Sequence, residues 1–134
     1  MFDYRTLFDL SGRTALVVGA ASGIGRASSA GLAAFGARVV CADVNLDGAG
    51  ETAEALTADG ADAKAVSLDM CDTESIQRAL GQAGQVDILV STPSVNVRKP
   101  VLEITDEEFD RIVDLNLKGT FRLVRETAAG MAEQ

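Results

Sequence analysis

The chain has 134 residues, of which 47% are hydrophobic and 24% charged, and it carries a formal net charge of −8 at pH 7. These values predict a globular, soluble protein with a core of its own. The excess of acidic residues argues against a nucleic-acid or anionic-membrane partner, because both need clustered Lys and Arg. With no histidine and no CxxC spacing, a metal site is not expected, and Cys41 and Cys71 are predicted to be reduced, mostly buried thiols.

The beginning of the chain does not look like a targeting segment. Asp3, Arg5 and Asp9 precede any apolar run, unlike the pattern of a signal peptide. The longest apolar run, residues 15–21, is too short to span a bilayer. We therefore expect a cytoplasmic protein. Residues 2–12 form a lead-in segment, in which Phe8 and Leu10 are predicted to pack under the sheet edge.

Short apolar runs alternate with amphipathic segments along the next part of the chain. The runs predict buried parallel strands at residues 14–18, 38–42, 63–68 and 86–90. Three helices lie between them: one over residues 24–35, one beginning at Asn45 or Asp47, and one beginning at Asp72 or Thr73. This order of elements predicts an α/β fold with a doubly wound parallel sheet.

After the fourth strand, residues 91–104 are predicted to form a loop. Thr105 and Glu108 then have the spacing of a capping box, in which each residue satisfies a backbone N–H group of the other. Apolar residues at helical spacing, from Phe109 to Val124, predict one long helix that continues almost to Gln134.

The turn after the first strand predicts a nucleotide site. Gly19 can adopt the angles of a tight turn, Gly23 places no Cβ between the main chain and a phosphate, and Gly25 lets the helix approach the strand. The free N–H groups at the start of the following helix would face the anion. Asp43, at the end of the second strand, stands where a carboxylate can accept hydrogen bonds from a ribose diol.

The spacing Gly19-x-x-x-Gly23-Ile24-Gly25 resembles that of the short-chain dehydrogenase/reductase family. The resemblance covers essentially the whole chain and corresponds to the amino-terminal half of the family. It implies a Rossmann-like fold of about four strands, with residues 1–134 forming a single dinucleotide-binding domain that is incomplete relative to the family. It further implies an NAD(P)-dependent oxidoreductase acting on an alcohol or ketone.

The resemblance also implies which residues contact the cofactor. Asp43 matches the acid that selects NAD over NADP, because its carboxylate would repel a 2′-phosphate and no basic residue stands at positions 20–22 or 44. Asp69 and Met70 match a pair that contacts adenine, although Asp69 is also typical of a turn or cap acid. The implied cofactor-binding residues are Gly19, Ser22, Gly23, Ile24, Gly25, Asp43, Asp69, Met70 and Ser91.

Asn116 is the candidate catalytic residue. It lies on or near the apolar stripe of the last helix, where an unpaired amide would cost about 1 to 3 kcal/mol. In the run Asn-Leu-Lys-Gly it resembles the family asparagine that bends the helix and holds a water in a proton relay. The alternative is a boundary asparagine bonded to a neighbouring loop.

Two sequence patterns depart from the family. Residues 91–94 read Ser-Thr-Pro-Ser where the family usually has Asn-Asn-Ala-Gly, and Val18 replaces a threonine. Together they predict a repacked contact between the first and fourth strands. Residues 96–100 resemble the loop of sugar-acid members, so Arg98 or Lys99 would hold a substrate carboxylate, or else form a solvated surface.

The family's catalytic serine and Tyr-x-x-x-Lys pair have no match here, since the single tyrosine is Tyr4 and Phe8 stands four residues later. The leading hypothesis is the NAD-binding portion of an oxidoreductase whose small-molecule substrate is an alcohol or ketone. The alternatives are a non-catalytic nucleotide-binding module and a split enzyme completed by a partner chain. The apolar fourth strand and last helix also predict a homo-oligomer through one of these surfaces.

Overall fold

A parallel sheet of four strands forms the centre of the structure, a computed structural model that describes residues 4–134, with side chains from residue 6 onward. The strands are β1 (Thr14–Val18), β2 (Arg38–Asp43), β3 (Ala63–Ser67) and β4 (Ile88–Ser91). Their order in the sheet is β3-β2-β1-β4, and every neighbouring pair is parallel. The predicted Rossmann-like arrangement is confirmed.

Helices lie between the strands and after the last one. They are α1 (Gly23–Ala34), α2 (Leu46–Ala58), α3 (Thr73–Ala83), α4 (Asp106–Val113) and α5 (Thr120–Ala132). A π-helical segment, Asp114–Gly119, joins α4 to α5, and short 3-10 helices form at Tyr4–Phe8 and Val101–Glu103. Within residues 4–134, no helix is both long enough and apolar enough to cross a membrane.

Both faces of the sheet are buried. In β1, Leu16 and Val18 point to a cluster that includes Ile76 of α3 and Leu123 of α5, all at most 1% exposed. The alternate β1 residues belong to a second cluster, which contains Ala49 and other side chains of α1 and α2. Because successive strand residues face opposite sides, this continuous apolar strand supplies two cores. The sheet is therefore doubly wound, as predicted.

Side-chain caps fix the helix starts that the sequence left open. The Oδ1 atom of Asn45 accepts the N–H of Gly48 at 3.1 Å, and Asp72 Oδ1 accepts the N–H of Glu74 at 2.9 Å. Asn45 and Asp72 are thus the caps of α2 and α3, not the alternatives Asp47 and Thr73. The predicted capping box before α4 is confirmed.

Some boundaries differ from the predictions. The strand β4 spans Ile88–Ser91, not residues 86–90. Just before it, Asp87 pairs with Thr14 twice: its backbone N–H donates to the Thr14 carbonyl at 2.9 Å, and its Oδ2 accepts the Thr14 N–H at 2.8 Å. The long last helix is interrupted by the π-helical segment around Asn116. Such segments form where one extra residue enters a helical turn.

Two burial predictions were wrong. Phe8 is 68% exposed and its ring contacts that of Phe35, with centroids 6.2 Å apart, instead of packing under the sheet. Cys71 is exposed because it lies in the turn after β3, whereas Cys41 is buried in β2 as expected.

Candidate functional site

The glycine turn joins β1 to α1, and its three glycines meet different requirements. Gly19 has a φ of +89°, and a Cβ there would lie 2.2 Å from Oγ1 of Thr92. A Cβ at Gly25 would lie 1.9 Å from the carbonyl oxygen of Gly19. Gly23 has a φ of +51°, but a Cβ there would meet no protein atom within 4 Å. Packing therefore requires glycine at positions 19 and 25, whereas Gly23 borders open space.

That open space belongs to a cleft of about 600 Å³ at the carboxyl ends of the strands. This is the edge at which doubly wound sheets bind ligands, and the volume lies within the usual range for small-molecule sites. The cleft brings together most of the predicted cofactor residues: Gly19, Ser22, Gly23, Ile24, Asp43, Asp69 and Met70.

Two predicted cofactor residues do not line the cleft. Gly25 lies behind the turn, where its missing side chain lets α1 approach Gly19. Ser91 is exposed at the end of β4, and its hydroxyl is 3.7 Å from the sulfur of Met70. The departures at Val18 and at residues 92–94, positions that flank the cofactor in the family pattern, also line the cleft. The sequence did not point to the remaining lining residues: Leu68, Cys71, Val95, Arg111, Asp114 and Leu115.

The start of α1 is arranged to receive an anion. Ser22 is the N-cap residue, and its side chain makes no capping hydrogen bond to the helix. The first N–H groups of a helix have no intrahelical partner and carry the positive end of the helix dipole. Because Ser22, Gly23 and Ile24 all line the cleft, these donors are available to a bound phosphate.

The carboxylate of Asp43 is held by two backbone groups. Its Oδ2 accepts the N–H of Ala21 at 3.0 Å, and its Oδ1 accepts the N–H of Asn45 at 2.9 Å. Each carboxylate oxygen can accept more than one hydrogen bond, so both contacts leave capacity for a ligand hydroxyl. Asp43 is thereby oriented at the cleft and connected to the glycine turn.

Asp69 has the turn geometry that the sequence offered as one of its two interpretations. Its Oδ1 accepts the N–H of Cys71 at 2.8 Å, and its own N–H donates to the hydroxyl of Ser75 at 3.0 Å. The side chain also lines the cleft beside Met70. The turn role is therefore present in the structure, and contact with adenine stays a prediction.

The far wall of the cleft contains an ion pair. Arg122 donates to Oδ1 of Asp114 at 3.1 Å, and this bond, together with a contact to the Cys71 thiol, lowers the pKa of Asp114. Partial desolvation at the cleft wall, followed by the neighbouring Asp114 carboxylate, raises the pKa of the Cys71 thiol, which therefore stays protonated at neutral pH. Among residues 4–134, no group of three His, Cys, Asp or Glu side chains is placed to hold a metal ion.

Asn116 lies in the π-helical segment and does not line the cleft directly. Its Oδ1 accepts the N–H of Val95, and its Nδ2 donates to the carbonyl of Val95, both at 2.9 Å. The amide thus pairs with the loop after β4, which is the contact expected of a boundary asparagine. Its own carbonyl accepts the Thr120 hydroxyl at 2.9 Å.

The departures from the family pattern meet at the end of β4. The N–H and the hydroxyl of Thr92 both donate to the carbonyl of Val18, each at 3.0 Å. Pro93 packs over the turn, with its Cδ 3.2 Å from the position a Cβ on Gly19 would take. Farther along the loop, Lys99 pairs with Glu108, and neither Arg98 nor Lys99 lines the cleft.

Comparison with known proteins identifies the group to which this architecture belongs. The family model for short chain dehydrogenase matches residues 13–134. The chain belongs to the short chain dehydrogenase family. Members of this family are oxidoreductases that bind nicotinamide nucleotides and act on small molecules, which is consistent with a cleft beside a glycine turn.

Individual relatives cover nearly all of this chain. It is 39% identical over 126 residues to a sorbitol dehydrogenase of Cereibacter sphaeroides, and the match covers 91% of this chain and 48% of the relative. It is 35% identical to a D-threitol dehydrogenase of Mycolicibacterium smegmatis, with 98% and 51% covered. A solved short-chain type dehydrogenase/reductase from Mycobacterium marinum matches with a TM-score of 0.92 at 30% identity, covering 99% of this chain and 56% of that one. The chain spans about half the length of the curated relatives it matches.

Proposed function

We propose that this chain forms the NAD-binding part of a short-chain oxidoreductase that acts on a sugar or polyol, with residues 1–134 as one dinucleotide-binding domain. The observation that carries the proposal is the open face at Gly23, next to the start of α1 and in the same cleft as the anchored carboxylate of Asp43. The substrate class is supported by the sorbitol and D-threitol dehydrogenases that the chain resembles. Arg98 and Lys99, which were predicted to hold the carboxylate of a sugar acid, do not line the cleft, whereas Arg111 does.

The cleft residues divide the recognition of NAD between them. Ser22, Gly23 and Ile24 present donors to the pyrophosphate, while Gly19 and Gly25 shape the turn that holds them. Asp43 accepts hydrogen bonds from the adenosine ribose. Asp69 and Met70 border the adenine, whereas Ser91 lies outside the cleft and is assigned no contact. When bound, NAD would supply the hydride acceptor. Asn116 is assigned no step, because both groups of its side-chain amide are paired with Val95 and it does not line the cleft.

A titration of the chain with NAD tests the proposal directly. We expect the backbone amide signals of residues 19–25 and of Asp43 to shift in a ¹⁵N–¹H spectrum, with saturation at millimolar NAD or below. Nicotinamide mononucleotide, which lacks the adenosine half, is expected to bind far more weakly. If none of these signals shifts at the highest concentration of NAD that dissolves, the proposed nucleotide site is refuted.

The preference for NAD over NADP depends on Asp43. Replacing Asp43 with Ala removes the charge that repels a 2′-phosphate, so we expect NAD to lose affinity more than NADP does. Asp47→Ala, in the exposed first turn of α2, is the matched control and should leave both affinities unchanged. An equal loss for both cofactors would mean that Asp43 only supports Ala21 and does not select.

Turnover is a separate question from binding. The only tyrosine, Tyr4, precedes β1, and the sequence has no serine and Tyr-x-x-x-Lys set matching that of the family. We expect no reduction of NAD when this chain alone is mixed with sorbitol or threitol. Measurable activity, followed as NADH absorbance, would show that another residue of this chain acts as the base.

We also propose that the chain associates with itself. The edge strand β4 is only partly buried. Large apolar side chains along α4, the π-helical segment and α5 are also exposed: Phe109 by 59% of its surface, Leu117 by 67%, Phe121 by 62% and Val124 by 48%. Exposed apolar patches and strand edges favour association. We expect sedimentation velocity to show dimers or larger species, and Phe121→Glu to shift them toward monomer. A monodisperse monomer at high concentration would contradict this proposal.

A further inference from the structure

Thr52 is a polar residue in the buried face of α2, with only 2% of its surface exposed. Its hydroxyl lies 2.9 Å from the carbonyl oxygen of Ala20 and 3.1 Å from that of Gly48. Arg26 of α1 donates its Nε–H to the same hydroxyl oxygen at 3.0 Å. Because the guanidinium can only donate, the hydroxyl proton must point to the carbonyls.

A threonine inside a helix commonly bonds back to the carbonyl four residues earlier. Thr57, on the same helix, does this with Ala53 at 2.9 Å. Thr52 differs because its shorter contact leaves the helix and reaches Ala20, which belongs to the glycine turn. Local helix geometry accounts for the contact of Thr52 to Gly48 but not for the contact to Ala20.

The contact fixes one particular peptide group of the turn. The peptide between Ala20 and Ala21 has its carbonyl bonded to Thr52 and its N–H bonded to Asp43 Oδ2 at 3.0 Å. Two different elements, α2 and the end of β2, thus hold the two sides of one peptide plane. Hydrogen bonds on both sides of a peptide polarise and strengthen each other. The next residue is Ser22, the N-cap from which the phosphate donors of α1 begin.

The position of α2 makes this contact possible. A Cβ on Gly48 would lie 2.8 Å from Cβ of Ala21, so the first turn of α2 lies directly against the glycine turn. Thr52 follows Gly48 by one helical turn and lies on the same face. The close approach at Gly48 and the bond from Thr52 therefore act on two adjacent residues of the turn.

We propose that Thr52 is a positioning residue for the pyrophosphate-binding turn: its hydroxyl sets the orientation of the Ala20–Ala21 peptide and hence of the amides that follow. This inference rests on the proposed function, because it assigns the cleft to a dinucleotide. Loss of the hydroxyl lets the peptide rotate, so phosphate affinity falls while contacts to adenosine persist. A single buried hydrogen bond corresponds to a loss of about fivefold to tenfold in affinity.

The test compares Thr52→Val, which keeps the shape but removes the hydroxyl, with Thr57→Val as the matched control on the same helix. NAD and adenosine affinities are measured for the parent and both variants by ¹⁵N–¹H titration. We expect Thr52→Val to weaken NAD by about fivefold to tenfold and adenosine by less than about twofold, with Thr57→Val weakening neither. Thr52→Ser, which restores the donor, is expected to recover the NAD affinity.

A purely structural role would weaken both ligands alike or track the melting temperature, and either result would overturn the proposal. If Thr52→Val does not fold, Thr52→Ser and Thr52→Ala, which differ only in the hydroxyl, provide the same comparison. A parent chain that does not bind NAD refutes the proposed function instead. The inference is then decided by hydrogen exchange of the Ala21 amide, which must accelerate in Thr52→Val and stay unchanged in Thr57→Val.

Discussion

Replacing Gly23 with Ala separates a binding role for the glycine turn from a folding role. The added Cβ meets no protein atom within 4 Å, so the folded chain has room for it. The cost comes from the backbone, because φ is +51° and left-handed angles cost an L-residue roughly 1 to 2 kcal/mol. Part of this is offset by the lower entropy of the unfolded chain, about 0.4 to 1 kcal/mol. The net loss of about 1 kcal/mol lowers the melting temperature by roughly 4 °C.

The effect on NAD should be larger than the effect on folding. The methyl group of Ala would occupy the open side of the turn, where the proposed function places a phosphate. We expect the dissociation constant for NAD to rise at least about tenfold, equivalent to about 1.4 kcal/mol. Circular dichroism gives the melting temperature, and titration calorimetry gives the affinity.

Gly60→Ala is the matched control for backbone strain. Gly60 also has a positive φ, +91°, and open space around it, but it lies between α2 and β3 and away from the cleft. Gly60→Ala should lose at least as much stability as Gly23→Ala, because +91° lies beyond the usual left-handed range, and it should lose no NAD affinity. The reasoning is refuted if Gly23→Ala binds NAD within twofold of the parent, because the open face would then not be a phosphate contact.

Two further predictions concern the contacts between β1 and β4. The N–H of Thr14, and then the guanidinium of Arg13, lower the pKa of Asp87 below 3.8, so its stabilising effect is complete above that value and disappears as the pH falls through the folded pKa. The parent should therefore melt at a higher temperature than Asp87→Asn by a constant amount near neutral pH, and this difference should shrink in strong acid. A difference that is unchanged at about pH 2.5 would count against this prediction. Thr92→Val removes the hydroxyl bond to Val18 but keeps the N–H bond, and should cost about 1 kcal/mol in chemical denaturation. Ser94→Ala, exposed on the same loop, should cost almost nothing.

The strands and helices could be predicted from the sequence because their signals are local. The run of residues 14–18 is apolar throughout, as a strand buried on both faces must be, and the structure places it at the centre of the sheet. Glycines and capping residues mark the helix ends within one or two residues. The π-helical segment has no such local signal: only the resemblance, in which the asparagine at position 116 bends the helix, pointed to it, and its Asn116 pairs with Val95, twenty-one residues earlier in the chain.

The cleft was predictable only on the side where the glycine motif lies. Gly19, Gly23 and Asp43 occur in one short stretch with a known spacing, so their meeting could be inferred. Arg111 and Asp114 reach the same cleft from α4 and the π-helical segment, and no local pattern gives the distance of that helix from the turn. Thr52 was missed for a similar reason, since a threonine within a helix has no distinctive sequence signal.

The departure at residues 91–94 shows how a motif can change while the contact it provides is kept. The end of β4 lies beside the end of β1, where Val18 is the last strand residue before the turn that starts at Gly19. The N–H and hydroxyl of Thr92 both donate to the carbonyl of Val18, so a threonine just after β4 supplies the polar contact that the Val18 side chain cannot make. The same hydroxyl lies where a side chain at Gly19 would project. Thr92 therefore closes the space beside Gly19, so a side chain at position 19 would need a smaller residue at position 92 as well as a backbone that accepts the positive φ.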